Sequence, residues 1–108
     1  MQRTITAAEL RSLIDRRAPL TLCDVRRAEA LAKDPVAIPG ASWFDPALVD
    51  DWSGTLNPDV EIVLYCVHGH SISNSVVHAL QTKGFSARFV EGGLEAWKQG
   101  GGDTEAQS

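Results

Sequence analysis

Residues 61–66, EIVLYC, form an apolar run that restricts what this chain can fold into more than any other stretch. From Ile62 to Leu64 the run contains only aliphatic residues, so no polar side chain marks a solvent-facing side. A run of this length and composition predicts a strand that is buried on both faces. Such strands are typical of parallel sheets that are covered by helices on each side.

The remaining pattern alternates short strands with helices. Strands are predicted at 20–25 (LTLCDV) and 87–90 (ARFV), and helices at 7–16, 26–33, 45–52, 71–83 and 94–99. A capping-box pattern at Thr6 and Glu9 supports the first helix, and Asp45 before Pro46 resembles a helix start. The alternation predicts an α/β fold with a central, mostly parallel sheet flanked by helices. Ligands of such sheets bind beyond the carboxyl ends of the strands, where Cys66 is expected to lie.

Length and composition predict one soluble domain. We expect residues 1–99 to form that domain and the glycine-rich residues 100–108 to form a flexible C-terminal tail. A net charge of −4 provides no electrostatic surface for nucleic acid or an anionic membrane. The sequence contains neither a signal-peptide pattern nor a membrane-spanning run. With only two cysteines, Cys23 and Cys66, a reducing, cytoplasmic location is expected.

The segment from Cys66 to Ser71 has the composition of a nucleophile's loop. Four residues, VHGH, must turn the chain from the predicted strand into the predicted helix, and Gly69 allows backbone conformations that other residues resist. A turn of this kind can direct several backbone N–H groups into one concavity, which binds anions and stabilises a thiolate. A buried structural thiol is an equally good interpretation of Cys66 from the loop alone.

Four segments together resemble the rhodanese (sulfurtransferase) family in its single-domain form. They are LCDVR (22–26), AIPGA (37–41), VLYCVHGHS (63–71) and VEGGLEAW (90–97), and they occur in the family's order. The resemblance runs from about Thr4 to Trp97. It implies a central parallel sheet flanked by helices. It also implies a cysteine that accepts sulfur as a persulfide and passes it to cyanide or a thiol, without a cofactor.

The resemblance assigns roles to individual residues. It makes Cys66 the persulfide carrier, and it implies that Asp24 and Arg26 support the loop; the alternative for that pair is an ordinary surface ion pair. The backbone of five residues would surround the outer sulfur: Val67, His68, Gly69, His70 and Ser71. The implied partners are a small sulfur donor, such as thiosulfate or a persulfide, and a thiol, cyanide or protein acceptor. A non-enzymatic module that binds a partner or relays persulfide between proteins is the alternative function.

The resemblance also shows where this loop differs from related ones. Related phosphatases have a loop one residue longer and an arginine at the position of Ile72, so phosphate chemistry is disfavoured. Val36 and Ala37 replace a common Gly-His pair, which we interpret as a change in packing. No lysine or arginine lies in the loop, which predicts weak use of thiosulfate or preference for another donor. A Michaelis constant for thiosulfate that does not fall in Val67→Arg would contradict that hypothesis.

A metal site is the remaining alternative for this region. Cys66, His68, His70 and His78 supply enough ligands for tetrahedral zinc. Their every-other-residue spacing suits an extended segment better than a tight loop, so we expect no metal. His68 and His70 are then rim residues, and His78 lies on a helix surface. Cys23, inside a predicted strand, is expected to be an inert buried thiol.

Overall fold

The apolar run is the central strand of a five-stranded parallel sheet in the computed structural model, which describes residues 3–69 and 71–106. The strands are β1 (Thr4–Ile5), β2 (Leu20–Asp24), β3 (Val36–Ala37), β4 (Ser42–Trp43), β5 (Glu61–Tyr65), β6 (Ala87–Val90) and β7 (Glu105–Ala106). The main sheet has the order β1-β6-β5-β2-β4, and every neighbouring pair is parallel. The prediction of an α/β fold with a mostly parallel central sheet is confirmed.

Within the residues that the structure describes, five α-helices connect the strands. They are α1 (Ala7–Asp15), α2 (Ala28–Lys33), α3 (Val49–Trp52), α4 (Ser71–Thr82) and α5 (Gly93–Gln99). The predicted capping box begins α1: Glu9 N–H donates to Thr6 Oγ1, and Thr6 N–H donates to Glu9 Oε1, both at 3.0 Å. The hydrogen bond from Thr6 N–H to the Glu9 carboxylate lowers the pKa of Glu9. The α1 prediction is confirmed, including its start.

Alternate residues of β5 belong to the two halves of the core. Ile62 and Leu64 pack in a cluster with Val76, Val77 and Leu80 of α4. Val63 and Tyr65 pack in the other cluster, with α1 and α5. All four of these β5 residues are fully buried. A strand placed between two helical layers needs apolar side chains on both faces, which explains the continuous run.

Several short elements differ from the expectation. Pro46–Leu48 forms a 3-10 turn before α3, with the Asp45 carboxylate accepting a hydrogen bond from Ala47 N–H at 2.9 Å. Strands β1, β3, β4 and β7 have two residues each and were not expected. Two residues are too few to show an alternating pattern, so only their pairing partners define them.

The C-terminal segment, which composition predicts to be a flexible tail at 100–108, contacts the domain at several of its described residues. Strand β7 pairs antiparallel with β3 in a separate ribbon, and Trp97 Nε1 donates to Asp103 O at 2.7 Å. Residues 100–106 therefore lie against the domain, because a backbone edge and an indole N–H are available to bind them. Residues 107–108 lie outside the described residues. None of the described helices is long and apolar enough to cross a membrane.

Candidate active site

Cys66 lies directly after β5, at the carboxyl end of the central strand. The residue is 5% exposed and lines a pocket of about 190 Å³. The other residues that line this pocket come from the β2–α2 connection, from α2 and from the segment that enters α4: Arg26, Arg27, Ala30, Val67, His68, Ser71 and Ile72. The pocket lies where ligands of parallel sheets are bound, and the thiol is nearly enclosed within it.

The first turn of α5 binds the loop that follows Cys66 through backbone hydrogen bonds. Leu94 N–H donates to Cys66 O at 2.9 Å, and Glu95 N–H donates to Val67 O at 3.1 Å. These carbonyl groups satisfy helix N–H groups that have no partner within α5. With its first two carbonyls bound to α5, the loop turns so that Gly69 N–H donates to Cys66 Sγ at 3.2 Å. An N–H donor at this distance stabilises a thiolate.

Two glycines allow this close approach of loop and helix. Gly69 has a φ of +71°, and a Cβ there would lie 2.7 Å from Val90 O and 2.9 Å from Gly92 N. Gly93 has a φ of +62°, and a Cβ there would overlap Cys66 O and lie 2.6 Å from Val67 O. Both positions combine a left-handed conformation with no room for a side chain, so each requires glycine.

Asp24 and Arg26 form a buried ion pair, not the surface pair that was the alternative. Their side chains are 0% and 1% exposed, and Arg26 Nη2 lies 2.7 Å from Asp24 Oδ2. Arg26 also donates to Asp34 O at 2.8 Å and to Val36 O at 2.7 Å. Burial lowers the pKa of Arg26, but its hydrogen bond with Asp24 and the charge of Asp24 outweigh this and raise it. The pair thus joins the end of β2 to β3 while Arg26 lines the Cys66 pocket.

Tyr65, the residue before Cys66, extends this buried network. Its hydroxyl accepts a hydrogen bond from Ile38 N–H at 3.2 Å, and its carbonyl accepts one from Val25 N–H at 2.9 Å. Burial and then the charge of Asp24 raise the pKa of the Tyr65 hydroxyl, so it stays protonated near neutral pH. The residue before Cys66 is therefore fixed to both neighbouring segments.

The histidines occupy different positions. His68 is exposed at the rim of the Cys66 pocket, and His78 is exposed on α4. His70 lies outside the described residues, so its predicted place in the loop stays a prediction. In the described part of the chain, no cluster of histidine, cysteine, aspartate or glutamate side chains could hold a metal ion.

Sequence reasoning missed two contributors to the site. One is Arg27, which lines the pocket although the loop itself contains no cation. The other is the start of α5, whose N–H groups bind the loop carbonyls. The sequence signal for α5 was the pair Gly92-Gly93, while nothing local distinguished Arg27 from its neighbour Arg26.

Comparison with known proteins agrees with this geometry. The family model described as a rhodanese-like domain matches residues 6–100. The chain belongs to the rhodanese-like family. No match was found among curated protein sequences.

Solved rhodanese-like structures cover nearly the whole chain. A rhodanese-like domain protein from Staphylococcus aureus is 30% identical, with a TM-score of 0.83 over 99% of this chain and 100% of that one. A rhodanese-like domain from Anabaena is also 30% identical, with a TM-score of 0.83 over 98% of this chain and 80% of that one. A thiosulfate sulfurtransferase from Pseudomonas aeruginosa shares the fold at 21% identity and a TM-score of 0.81; the alignment covers 99% of this chain and 21% of that one.

Proposed function

We propose that this rhodanese-like chain is a sulfurtransferase that carries a sulfur atom as a persulfide on Cys66. The observation that carries the proposal is the placement of Cys66 Sγ, which lies in a pocket at the end of the central strand with Gly69 N–H 3.2 Å away. A sulfur nucleophile beside a backbone donor combines attack with stabilisation of the transferred anion.

In the first half-reaction the Cys66 thiolate attacks the outer sulfur of thiosulfate. A Cys66 S–S bond forms, the bond between that sulfur and the sulfonate sulfur breaks, and its electron pair leaves with sulfite. The charge balances, since a thiolate and a dianion give a persulfide anion and sulfite dianion. The backbone from Val67 to Ser71 would surround the new terminal sulfur.

In the second half-reaction an acceptor nucleophile attacks the terminal sulfur. With cyanide, a carbon–sulfur bond forms, the Cys66 S–S bond breaks, and its electron pair returns to Cys66 as thiolate. The products are thiocyanate and free enzyme, so the sequence is ping-pong and uses no cofactor or metal. A thiolate acceptor reacts in the same way and leaves as a persulfide.

The surrounding network would keep the loop in position during both steps. The buried Asp24–Arg26 pair and Tyr65 support the strand ends, and α5 binds the loop carbonyls. We expect preformed N–H donors, not an acid–base pair, to supply the catalytic effect. Both cysteines are free, which fits a reducing, cytoplasmic location.

Intact mass spectrometry tests the proposal directly. Wild-type protein treated with thiosulfate should gain one sulfur atom and should lose it again when cyanide is added, with thiocyanate released. The Cys66→Ser variant should gain none, while Cys23→Ser should behave as wild type because Cys23 is fully buried outside the pocket.

The same experiment distinguishes the enzyme from the alternative, a module that binds a partner or relays persulfide between proteins. If neither thiosulfate nor a small persulfide adds sulfur to Cys66, the enzyme proposal fails and a partner-binding module is favoured. If sulfur is accepted but released only to a protein, the chain is a persulfide relay.

A further inference from the structure

A second cleft opens beside the Cys66 pocket. It measures about 440 Å³, against about 190 Å³ for the pocket itself. The two share Arg27, Ser71 and Ile72 as lining residues, so they are neighbouring sites on the surface. Cyanide or thiosulfate needs only the small pocket, and the adjoining cleft leaves room for a larger substrate.

Arg27 is the available positive charge of this cleft. It is exposed and precedes the first residue of α2. Within residues 3–69 and 71–106 the salt bridges use Arg26, Lys83, Arg88 and Lys98 but not Arg27. The buried Arg26 is bound to Asp24 and is therefore not free for a ligand. An arginine is always protonated and presents a planar fork that matches a carboxylate.

The same cleft also contains negative and apolar surface. Glu29, exposed in the first turn of α2, and Asp45 both line it. Asp45 already accepts a hydrogen bond from Ala47 N–H, which leaves Glu29 as the less committed carboxylate. Ile72 and Val76 of α4 supply the apolar side. A cation and carboxylates around an apolar wall complement a zwitterion with a short apolar chain.

We propose that this cleft binds the charged end of an amino-acid or short-peptide thiol that accepts sulfur from Cys66. Arg27 binds the carboxylate of the acceptor, Glu29 binds its ammonium group, and its sulfur enters the Cys66 pocket. The proposal rests on the sulfurtransferase function and specifies its acceptor.

The transfer itself balances without another reactant. The acceptor thiol loses its proton to solvent, and the resulting thiolate attacks the terminal sulfur of the Cys66 persulfide. A new S–S bond forms in the acceptor, the Cys66 S–S bond breaks, and Cys66 leaves as a thiolate. Arg27 and Glu29 take no part in these bond changes and act as specificity-determining residues.

Four small thiols separate the contributions of the acceptor's carboxylate and ammonium groups to the transfer rate. Cysteine carries both charges, 3-mercaptopropionate only the carboxylate, cysteamine only the ammonium, and 2-mercaptoethanol neither. The protein is first loaded from thiosulfate and desalted, and the loss of sulfur from Cys66 is then followed by intact mass for each thiol. Each variant is compared with wild type for the same thiol, which removes differences in intrinsic thiol reactivity.

The expected pattern is selective. Arg27→Gln should slow transfer to cysteine and 3-mercaptopropionate about fivefold, the size of a partly exposed ion pair, and leave the other two thiols unchanged. Arg27→Lys should restore most of the rate. Glu29→Gln should slow transfer to cysteine and cysteamine only. Arg17→Gln, which removes an exposed charge outside the cleft, should change none of the four rates.

Equal slowing of all four thiols by Arg27→Gln, or no slowing of any, would overturn the acceptor proposal. In that case loading of Cys66 and release to thiols would still support the sulfurtransferase. Failure of wild-type protein to load from thiosulfate or from a small persulfide would instead overturn the proposed function and this inference together.

Discussion

The two cysteines of this chain are both buried but have different surroundings. Cys23 lies within β2 and is fully buried, and burial followed by the charge of Asp24 raises its pKa to about 12. Cys66 lies beyond the end of β5, lines a pocket and receives the Gly69 N–H. Because the thiolate is the reactive form, the two residues should differ in reactivity.

Alkylation measures that difference at the scale of the residue. Iodoacetamide at about pH 8, well below the pKa of Cys23, should label native protein at Cys66 and leave Cys23 unmodified. Peptide mapping identifies the site. The folded Cys66→Ser variant should take no label, and after unfolding in urea it should take one label, at Cys23. Rapid labelling of Cys23 in the folded protein would contradict its assignment as an inert thiol.

At the scale of elements, the active-site loop depends on the helix behind it. The α5 N–H groups bind the carbonyls of Cys66 and Val67, and Gly93 is the point of closest approach. Since a side chain there would meet both carbonyls, the loop and the helix cannot be changed independently. The position of the thiol is thus set by a segment more than twenty residues away in the chain.

Gly93→Ala tests this dependence. The added Cβ would be strained at φ +62° and would overlap the loop, so the free energy of unfolding should fall by about 2 to 4 kcal/mol. Urea denaturation measures the loss. Persulfide loading of the variant should also fall sharply under conditions where the protein stays folded.

Gly84→Ala is the matched control. Gly84 has a φ of +94°, but a Cβ there would meet nothing within 4 Å. This variant should lose about 1 kcal/mol from backbone strain alone and keep normal persulfide loading. Equal loading defects in both variants would argue against a specific contact between α5 and the loop.

At the scale of the whole molecule, the C-terminal segment closes the side of the domain that carries β3. Besides the β3–β7 ribbon and the Trp97–Asp103 hydrogen bond, Arg11 donates to Gly100 O, and Glu105 accepts from Gly40 N–H. The Arg26 side chain binds Val36 O within the same ribbon. The segment is therefore linked through β3 to the wall of the active-site pocket.

Truncation after Gly100 tests the role of this segment. Loss of the ribbon, of the contact between Gly102 and the Trp97 ring, and of the acceptor for Trp97 Nε1 should lower the free energy of unfolding by about 1 to 3 kcal/mol, since apolar contact and a hydrogen bond are both removed. Urea denaturation of truncated and full-length protein gives the value. Removal of residues 107–108 alone provides the control. An unchanged midpoint of urea denaturation after the longer truncation would support the flexible tail that composition predicts.

The parts of the fold that could be predicted are those with a local signal. The apolar run of β5, the capping box of α1 and the amphipathic pattern of α4 each depend on residues a few positions apart. The expectation that Cys66 follows a strand and precedes a helix also depends only on residues close to it in the sequence. The short strands β1, β3, β4 and β7 lack such a signal, because two residues acquire a defined structure only from a distant partner.

By itself, the sequence determined the α/β class, the central strand, and a cysteine placed at the strand end before a glycine-containing turn. Only the tertiary structure decided that Asp24 and Arg26 are buried, that α5 holds the loop, and that Arg27 lines the pocket. It also decided that residues 100–106 contact the domain. The physical reason is range: periodicity and capping act over one or two turns, whereas burial, ion pairing and edge pairing depend on segments brought together by folding.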